Sequence, residues 1–508
     1  MRQVDTAPRY ANHPGKSIVC RTLVCVGAWF LAVGTLDGAV QRPNVLLILA
    51  DDLGPEWLGC YGGKETEDHS NNHTGSSPRP GENVAVRGVG TASNTPHLDR
   101  LAATGMRFTS AYSMPLCTPT RVSLLTGQYP FRHGWCSHWD VPRWGRGCHF
   151  DWRHYRSFAR ILRDAGYATA VAGKWQINDF RVQPDALRQH GFDQWCVWTG
   201  FEATNRPSAR RYWDPYLYGD EKSSRTYGGE FGPDLFVRFL IDFLERHRNE
   251  PMMLYYPMVL THGPWVVPPG ETEAAPKVER YRAMVRYMDR LVGQLIAALD
   301  RLDLRRKTLV VFMGDNGTSP GITGYRDGRA VRGGKGTLTE RGVCVPLIVN
   351  GPGVVPSGVV TDALTDVTDW LPTLADLGGA TLPGKTAVDG KSLVGLITGR
   401  DVAGPRQTIT SMGTGRATWD ADGVRAEKPF TDRAIRDARY KIVVVDRKLV
   451  SLFDLQLDPA EEQNLLGSQL PRHVAARQRL TTVLLSQPKT DARPRYDPTP
   501  AQRWDRQE

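Results

Sequence analysis

The sequence predicts an α/β protein: a large mixed, mainly parallel sheet sandwiched by helices, followed by a smaller C-terminal antiparallel α+β subdomain. Three observations carry that expectation. Asn44–Ala50 and Thr308–Met313 are continuous apolar runs of strand length, and they break into Asp51-Asp52 and Gly314-Asp315-Asn316. Such runs suit parallel strands buried on both faces, with functional residues at their carboxyl ends. Strand-like and helix-like segments alternate over more than about 250 residues, the signature of a helix-covered sheet. Beyond about Pro383 the pattern changes to short strands separated by turns, notably Tyr440–Val445 and Leu449–Phe453.

Residues 1–38 read as a leader. Lys16 and Arg21 precede the apolar run Leu23–Val33, and Ala32-Val33-Gly34 offers a small-residue cleavage site, as in a secretory signal peptide. The run is shorter than the ~20 residues that span a bilayer, which argues against a membrane anchor. The mature chain is therefore expected to be secreted or periplasmic, with no stable membrane span. Residues 39–382 form the expected N-terminal catalytic body. Within it, 62–94 is polar, rich in Gly, Ser and Asn, and reads as a surface insertion.

From Thr95, Leu98, Leu101 and Ala102 share a helical face that Gly105 ends. Helix Arg156–Asp164, strand Tyr167–Ala172, strand Met252–Tyr256, helix Val278–Leu302 and strand Thr308–Met313 follow in turn. Residues 383–487 form the smaller subdomain, closed by helix His473–Leu485. The stretch 488–508, rich in Pro, Arg and Asp, reads as an extended tail.

The chain has 508 residues, 40% hydrophobic and 23% charged, which excludes a disordered chain, a collagen or a polytopic membrane protein. Its net charge of +10 favours anionic partners. The excess forms no long basic run, and there is no Cys/His finger spacing, so anionic small groups are favoured over nucleic acid. Eight cysteines, none in C-x-x-C, do not make a disulfide framework. Cys136 and Cys148 flank a loop rich in Trp, His and Arg and are candidates for one bridge.

The sharpest local pattern is Cys117-Thr-Pro-Thr-Arg121. Thr118 can cap a helix with Pro119 at its first position, setting Cys117 at the positive helix end, where an anion would also meet Arg121. On its own the pattern equally describes a buried cysteine before an ordinary capped helix. Asp51, Asp52, Asp315 and Asn316 offer carboxylate and amide oxygens, a hard donor set suited to Ca²⁺ or Mg²⁺. Lys174 follows Gly173 after a strand, and Lys335 lies in the glycine-rich loop Arg332–Thr337, which could wrap an anion. His262 stands in Thr-His-Gly-Pro, a setting that also suits a loop histidine bonded to backbone.

Cys117-x-Pro-x-Arg121, continued by Leu125-Thr-Gly-Gln-Tyr-Pro130, resembles the modification signature of the type I (formylglycine-dependent) sulfatases of the alkaline phosphatase superfamily. The resemblance runs from about Pro43 to Leu466. It takes in Thr95–Ala102, Asp369–Leu374, Tyr440-Lys-Ile and Leu452–Leu455 with Glu462–Leu465. It implies that a formylglycine-generating enzyme converts Cys117 to Cα-formylglycine, whose hydrate is the nucleophile, and that Arg121 steadies that hydrate. It further implies that Asp51, Asp52, Asp315 and Asn316, with the modified Cys117, hold Ca²⁺ or Mg²⁺. Lys174 and Lys335 are implied to clamp the sulfate, and His262 to contact it and help protonate the leaving oxygen.

The family commonly carries Gly-Lys-Trp-His, whereas Gln176 stands here in place of that histidine, a hydrogen-bonding contact without acid or base chemistry. The implied activity is hydrolysis of sulfate esters. The Trp-, His- and Arg-rich stretch Trp135–Trp152 and the basic charge point to a sulfated carbohydrate substrate. Two other readings remain at this stage: a phosphate or phosphonate monoester hydrolase of the same superfamily, and a catalytically silent sulfated-glycan-binding protein.

Overall fold

Asn44–Ala50 (β1) lies at the centre of a ten-stranded sheet, and all seven of its residues are buried. The other strands are Met106–Phe108 (β2), Ala168–Lys174 (β3), Gln194–Trp198 (β4), Tyr216–Gly219 (β5), Arg225–Thr226 (β6), Met252–Pro257 (β7), Thr308–Gly314 (β8), Leu347–Asn350 (β9) and Val359–Thr361 (β10). Their order is β10-β2-β9-β8-β1-β7-β3-β4-β5-β6. The core β8-β1-β7-β3-β4 is parallel, with Leu47 opposite both Tyr255 and Val311. β9 joins β8 antiparallel, and β5 and β6 extend the other edge antiparallel, which makes the sheet mixed. A computed structural model describes residues 42–63, 93–137, 148–200, 210–219, 225–272, 276–382, 384, 387–413 and 415–500. The expected leader and most of the 62–94 insertion lie outside them, as does the middle of the Trp-rich loop.

The continuous apolar run of β1 is explained by its two covered faces. Side chains alternate across a strand, so Val45, Leu47 and Leu49 enter one core and Leu46, Ile48 and Ala50 the other. The first core is shared with helices Cys117–Thr126, Phe158–Asp164 and Trp370–Gly378. The second is shared with Pro96–Ala103, Gly232–His247 and Lys277–Arg301. Burial of each such Leu or Ile is worth about 1.5–3 kcal/mol, so a polar residue anywhere in the run would be costly.

Parallel strands bring their carboxyl ends to one edge, and β1, β3, β7 and β8 all end there. Gly173 makes the last step of β3 possible. It takes φ +122°, and a Cβ on it would lie 2.0 Å from the Pro257 carbonyl oxygen of β7. β3 runs on to Lys174. The lysine expected in the following loop is thus the final residue of the strand, fully buried, because β3 stays paired with β4 through Trp198.

Ile409–Met412, Arg433–Arg436, Tyr440–Val445 and Lys448–Asp454 form the C-terminal antiparallel sheet in that order. Helix Pro471–Ser486 covers it through Ala476 and Leu480, against Ile435, Ile442, Val444 and Leu452. Residues 488–500 then run without regular structure back over the main body. Asp491 accepts hydrogen bonds from Arg433 and from the Thr431 amide at 2.6 Å each, and the Ala492 amide donates to the Phe131 carbonyl at 2.9 Å. Cys136 and Cys148 are both buried free thiols, so the bridge suggested by the loop they flank does not form.

Candidate active site

The helix carrying the Cys117 motif begins at Cys117 itself, with Leu116 in the capping position. Thr118 is therefore not the cap but sits inside the first turn, as does Pro119, whose missing N–H costs nothing there. The turn is instead fastened by Thr120, whose hydroxyl receives the Met114 amide at 3.1 Å. This start leaves Cys117 at the amino end of the helix, 7% exposed, with Arg121 one turn on along the same face.

Arg121 is fully enclosed and serves three groups. It donates to Asp315 Oδ2 at 2.8 Å and to the Lys174 carbonyl at 3.0 Å, and its Nη2 lies 3.7 Å from Asp51 Oδ2. Lys174 Nζ donates to the same Asp51 oxygen at 2.7 Å. Lys335, brought in by its glycine-rich loop, donates to Asp52 Oδ1 at 2.5 Å. Its loop is tied to the segment before the helix by the Gly336 amide, which donates to the Pro115 carbonyl at 2.9 Å. Asn316 Nδ2 also donates to Asp52 Oδ1, at 2.9 Å, and the Asp52 amide donates to Asp315 Oδ1 at 3.1 Å.

Two triads in this cluster have donor atoms mutually within 4.8 Å: Asp51, Cys117 and Asp315, and Asp51, Asp52 and His262. Asp51 Oδ1 and Asn316 Oδ1 are buried without a hydrogen-bond partner. Buried acceptors left unpaired beside three carboxylates are what a hard divalent cation would satisfy, so the residues fit Ca²⁺ or Mg²⁺.

The charges are strongly coupled. Burial opposes ionisation of Asp51, but Lys174, with His262, Arg121 and Lys335 behind it, holds its pKa far below the usual carboxylate range. Burial, and then the Asp51 charge, push Asp315 up to about 7. Burial works against the Lys335 ammonium, yet the Asp52 carboxylate lifts its pKa above the ordinary lysine value. His262 Nε2 is 3.9 Å from Asp52, and its Nδ1–H donates to the Gly263 carbonyl at 2.6 Å. Burial lowers its pKa to about 4, with Lys174 and Lys335 opposing the pull of Asp51. His262 is thus neutral at neutral pH in the free site, with the Nε2 lone pair available. An anion bound among the cations would favour its protonated form.

Gln176 takes a left-handed backbone conformation, φ +59°, just past β3, and its Oε1 is buried without a partner. An unpaired amide oxygen is an acceptor for a hydroxyl.

Sequence reasoning missed the residues that hold this cluster from behind. Tyr281, on the long helix Lys277–Arg301, donates its hydroxyl to the Asp52 carbonyl at 2.7 Å, where Asp52 itself is left-handed at φ +61°. Tyr212 donates to the Val259 carbonyl at 2.7 Å and lies 2.5 Å from that of His262. Thr261 is locked to Asp51 by its amide at 2.6 Å. Nothing local marks these residues, because each acts across a long sequence separation.

A family model described as Sulfatase matches residues 43–380. The chain belongs to the sulfatase family. A second model, the C-terminal region of N-sulphoglucosamine sulphohydrolase, matches residues 334–487. Mouse steryl-sulfatase is 31% identical over 86% of this chain and 80% of its own length. Dog N-acetylgalactosamine-6-sulfatase is also 31% identical, over 70% of this chain and 66% of its own. Among solved structures, Ps i-CgsB superposes with TM-score 0.69 at 23% identity, covering 88% of this chain and 94% of that one. The PsFucS1 sulfatase from Pseudoalteromonas sp. gives TM-score 0.61 at 24% identity over 88% and 92%. This sulfatase is accordingly a sulfuric ester hydrolase with the α/β sandwich and C-terminal antiparallel sheet of its structural neighbours.

Proposed function

We propose that this sulfatase hydrolyses sulfate esters of a sulfated carbohydrate, with Cys117 as the precursor of its nucleophile. The observation that carries this reading is the meeting of Cys117 with Asp51 and Asp315 inside a ring formed by Arg121, Lys174 and Lys335. Converted to Cα-formylglycine by a generating enzyme, Cys117 would supply a hydrated aldehyde that attacks sulfur and later releases sulfate by re-forming the carbonyl. Asp51, Asp52, Asp315, Asn316 and the modified Cys117 would hold Ca²⁺ or Mg²⁺, which would supply charge neutralisation of the sulfate oxygens.

The chain's own groups perform the remaining tasks. Arg121 holds Asp51 and Asp315 in place from one helical turn beyond Cys117. Lys174 and Lys335, both pre-positioned on carboxylates, present ammonium groups to the sulfate without reorganisation as charge develops. His262 presents an unprotonated Nε2 in the free site and would gain a proton as the anion binds, which would place it to protonate the departing alkoxide. Gln176 offers its unpaired Oε1 to a nucleophile hydroxyl, orienting it without taking its proton. The burial of Cys117, Arg121 and Lys174 keeps water from competing with these contacts.

A carbohydrate is favoured by the net charge and by the names of several relatives, which act on amino-sugar sulfates. The leader read from residues 1–38 of the sequence supports a mature enzyme that acts outside the cytoplasm, where such polymers occur. The test is sulfate release from a panel of sulfated monosaccharides and aryl sulfates, with the matching phosphate esters as controls. Preference for sugar sulfates is expected. Equal or faster turnover of the phosphate esters would overturn the reading. Amino-terminal sequencing of the exported protein, expected to begin after residue 34, tests the leader.

A further inference from the structure

A cleft of about 930 Å³ opens at the far end of the Cys117 helix, and it contains none of the active-site residues described above. Thr126 and Gln128 form its inner side. Thr126 is nine residues from Cys117, about 13 Å along the helix axis. The cleft is lined by five arginines, Arg132, Arg153, Arg156, Arg160 and Arg495, and by no carboxylate. Trp152 adds an aromatic face, and the outer wall is made by the chain after Pro488, which the contacts of Asp491 and Ala492 fasten in place.

The arginines differ in how well they are neutralised. Arg132 pairs with Asp389 at 2.7 Å, Arg153 with Asp151 and Asp497 at 2.6 Å each, and Arg156 with Asp164 at 3.2 Å. Arg160 and Arg495 pair with no carboxylate among the described residues. Arg160 donates to the Trp152 carbonyl at 3.3 Å, and Arg495 donates to the His154 carbonyl at 3.2 Å while its guanidinium lies over Tyr155. Burial, and then the neighbouring Arg156, hold the Arg160 guanidinium below its ordinary pKa, the response of a cation short of counter-charge. Guanidinium forks match the paired oxygens of sulfate and carboxylate groups, and the volume is that of a ligand cleft, not of a surface dimple.

We propose that this cleft is a second, non-catalytic binding site for a sulfated glycan chain, holding the polymer remote from the ester being cleaved. The identity of the occupant rests on the carbohydrate reading given above, whereas the anionic character of the site rests on the cleft alone. A polymer held here as well as at Cys117 gains an effective concentration at the reacting end that a monosaccharide sulfate cannot. A glycan is favoured over nucleic acid because the aromatic rings of the lining are already covered by guanidiniums, Phe131 by Arg132, Trp152 by Arg153 and Tyr155 by Arg495, which leaves forks for anions and few faces for stacking bases.

The test uses the full-length protein with Cys117→Ala, so that the probe is not consumed, and titrates a size-defined heparin oligosaccharide by calorimetry. Adding Arg160→Ala and Arg495→Ala is expected to weaken binding at least about tenfold, and Arg495→Ala alone to weaken it by less. The loss should shrink as salt is raised. In the protein that retains Cys117, the same two substitutions should leave turnover of an aryl sulfate unchanged.

Affinity within about twofold of the parent would overturn the proposal. So would tighter binding of a single-stranded RNA of equal charge that depends on the same arginines, which would assign the cleft to nucleic acid. Oligosaccharide binding that depends on Arg160 and Arg495, in a protein inert toward every sulfate ester, would support the cleft while refuting the catalytic reading.

Discussion

Replacing Arg121 with glutamine removes the one positive charge that, among the described residues, touches both Asp51 and Asp315. With Nη2 at 2.8 Å from Asp315 and 3.7 Å from Asp51, the two attractions amount to about 6 and 4 kcal/mol at an effective dielectric constant near 20. Several kcal/mol of that gross figure is offset because the buried guanidinium is itself released from a desolvated position. Asp315, already raised to about 7, can also take a proton at modest cost. The net loss for breaking such a buried cluster is about 3–5 kcal/mol. Urea unfolding of metal-free wild type and Arg121→Gln, followed by near-ultraviolet circular dichroism, measures it directly. The same variant should lose about 10²–10³ in kcat on an aryl sulfate, as when one pre-organised donor is removed from an active site. A stability loss under about 1 kcal/mol would refute the argument that the guanidinium holds the two carboxylates together.

Calcium added to the metal-free protein near pH 6.5 should release roughly one proton, because Asp315 is largely protonated there and must ionise to serve as a ligand. Calorimetry in buffers of different ionisation enthalpy reads the proton count, and a buffer-independent heat would contradict it. Gly173→Ala should destabilise the fold by several kcal/mol and abolish activity, since the new Cβ meets the Pro257 carbonyl at 2.0 Å and φ is +122°. Wild-type melting behaviour in that variant would show that β3 can deliver Lys174 in another way.

His190 is buried against Phe150, donates to the Phe150 carbonyl at 2.8 Å, and has its pKa lowered by burial to about 3. Below the unfolded value of about 6.5 the unfolded chain takes a proton that the folded chain refuses, so stability falls with falling pH down to about 3. Against His190→Gln, which does not titrate, wild type should lose about 1.4 kcal/mol per pH unit between 6.5 and 4, and parallel pH profiles would contradict this.

The parts of this protein legible in its sequence are those whose cause is local. β1 and β8 are marked by apolar runs because burial on two faces allows nothing else, and their polar ends follow because parallel strands bring their carboxyl ends, where the site is built, to one shared edge. The Cys117 motif, Lys174, Lys335 and His262 all converge on that edge. The sequence places the helix start two residues late because Thr118 obeys the usual capping preference while the Thr120–Met114 contact fixes the turn. The Cys136–Cys148 bridge failed for a related reason: a shared loop does not set the direction of two thiols. Tyr281 and Tyr212, which fasten the Asp52 and His262 backbone, carry no local mark, being ordinary aromatic positions until the helix and the loop are packed against the sheet. The basic cleft is hidden in the same way, since Arg160 and Arg495 lie far apart in sequence.

The most direct measurement is the mass of the peptide containing Cys117 in enzyme purified from its native host, taken together with sulfate release by wild type and by Cys117→Ala. Formylglycine lowers the peptide mass by about 18 Da relative to cysteine, and that shift with turnover abolished in Cys117→Ala is the expected result. An unmodified cysteine in protein that still releases sulfate would contradict Cys117 as the source of the nucleophile.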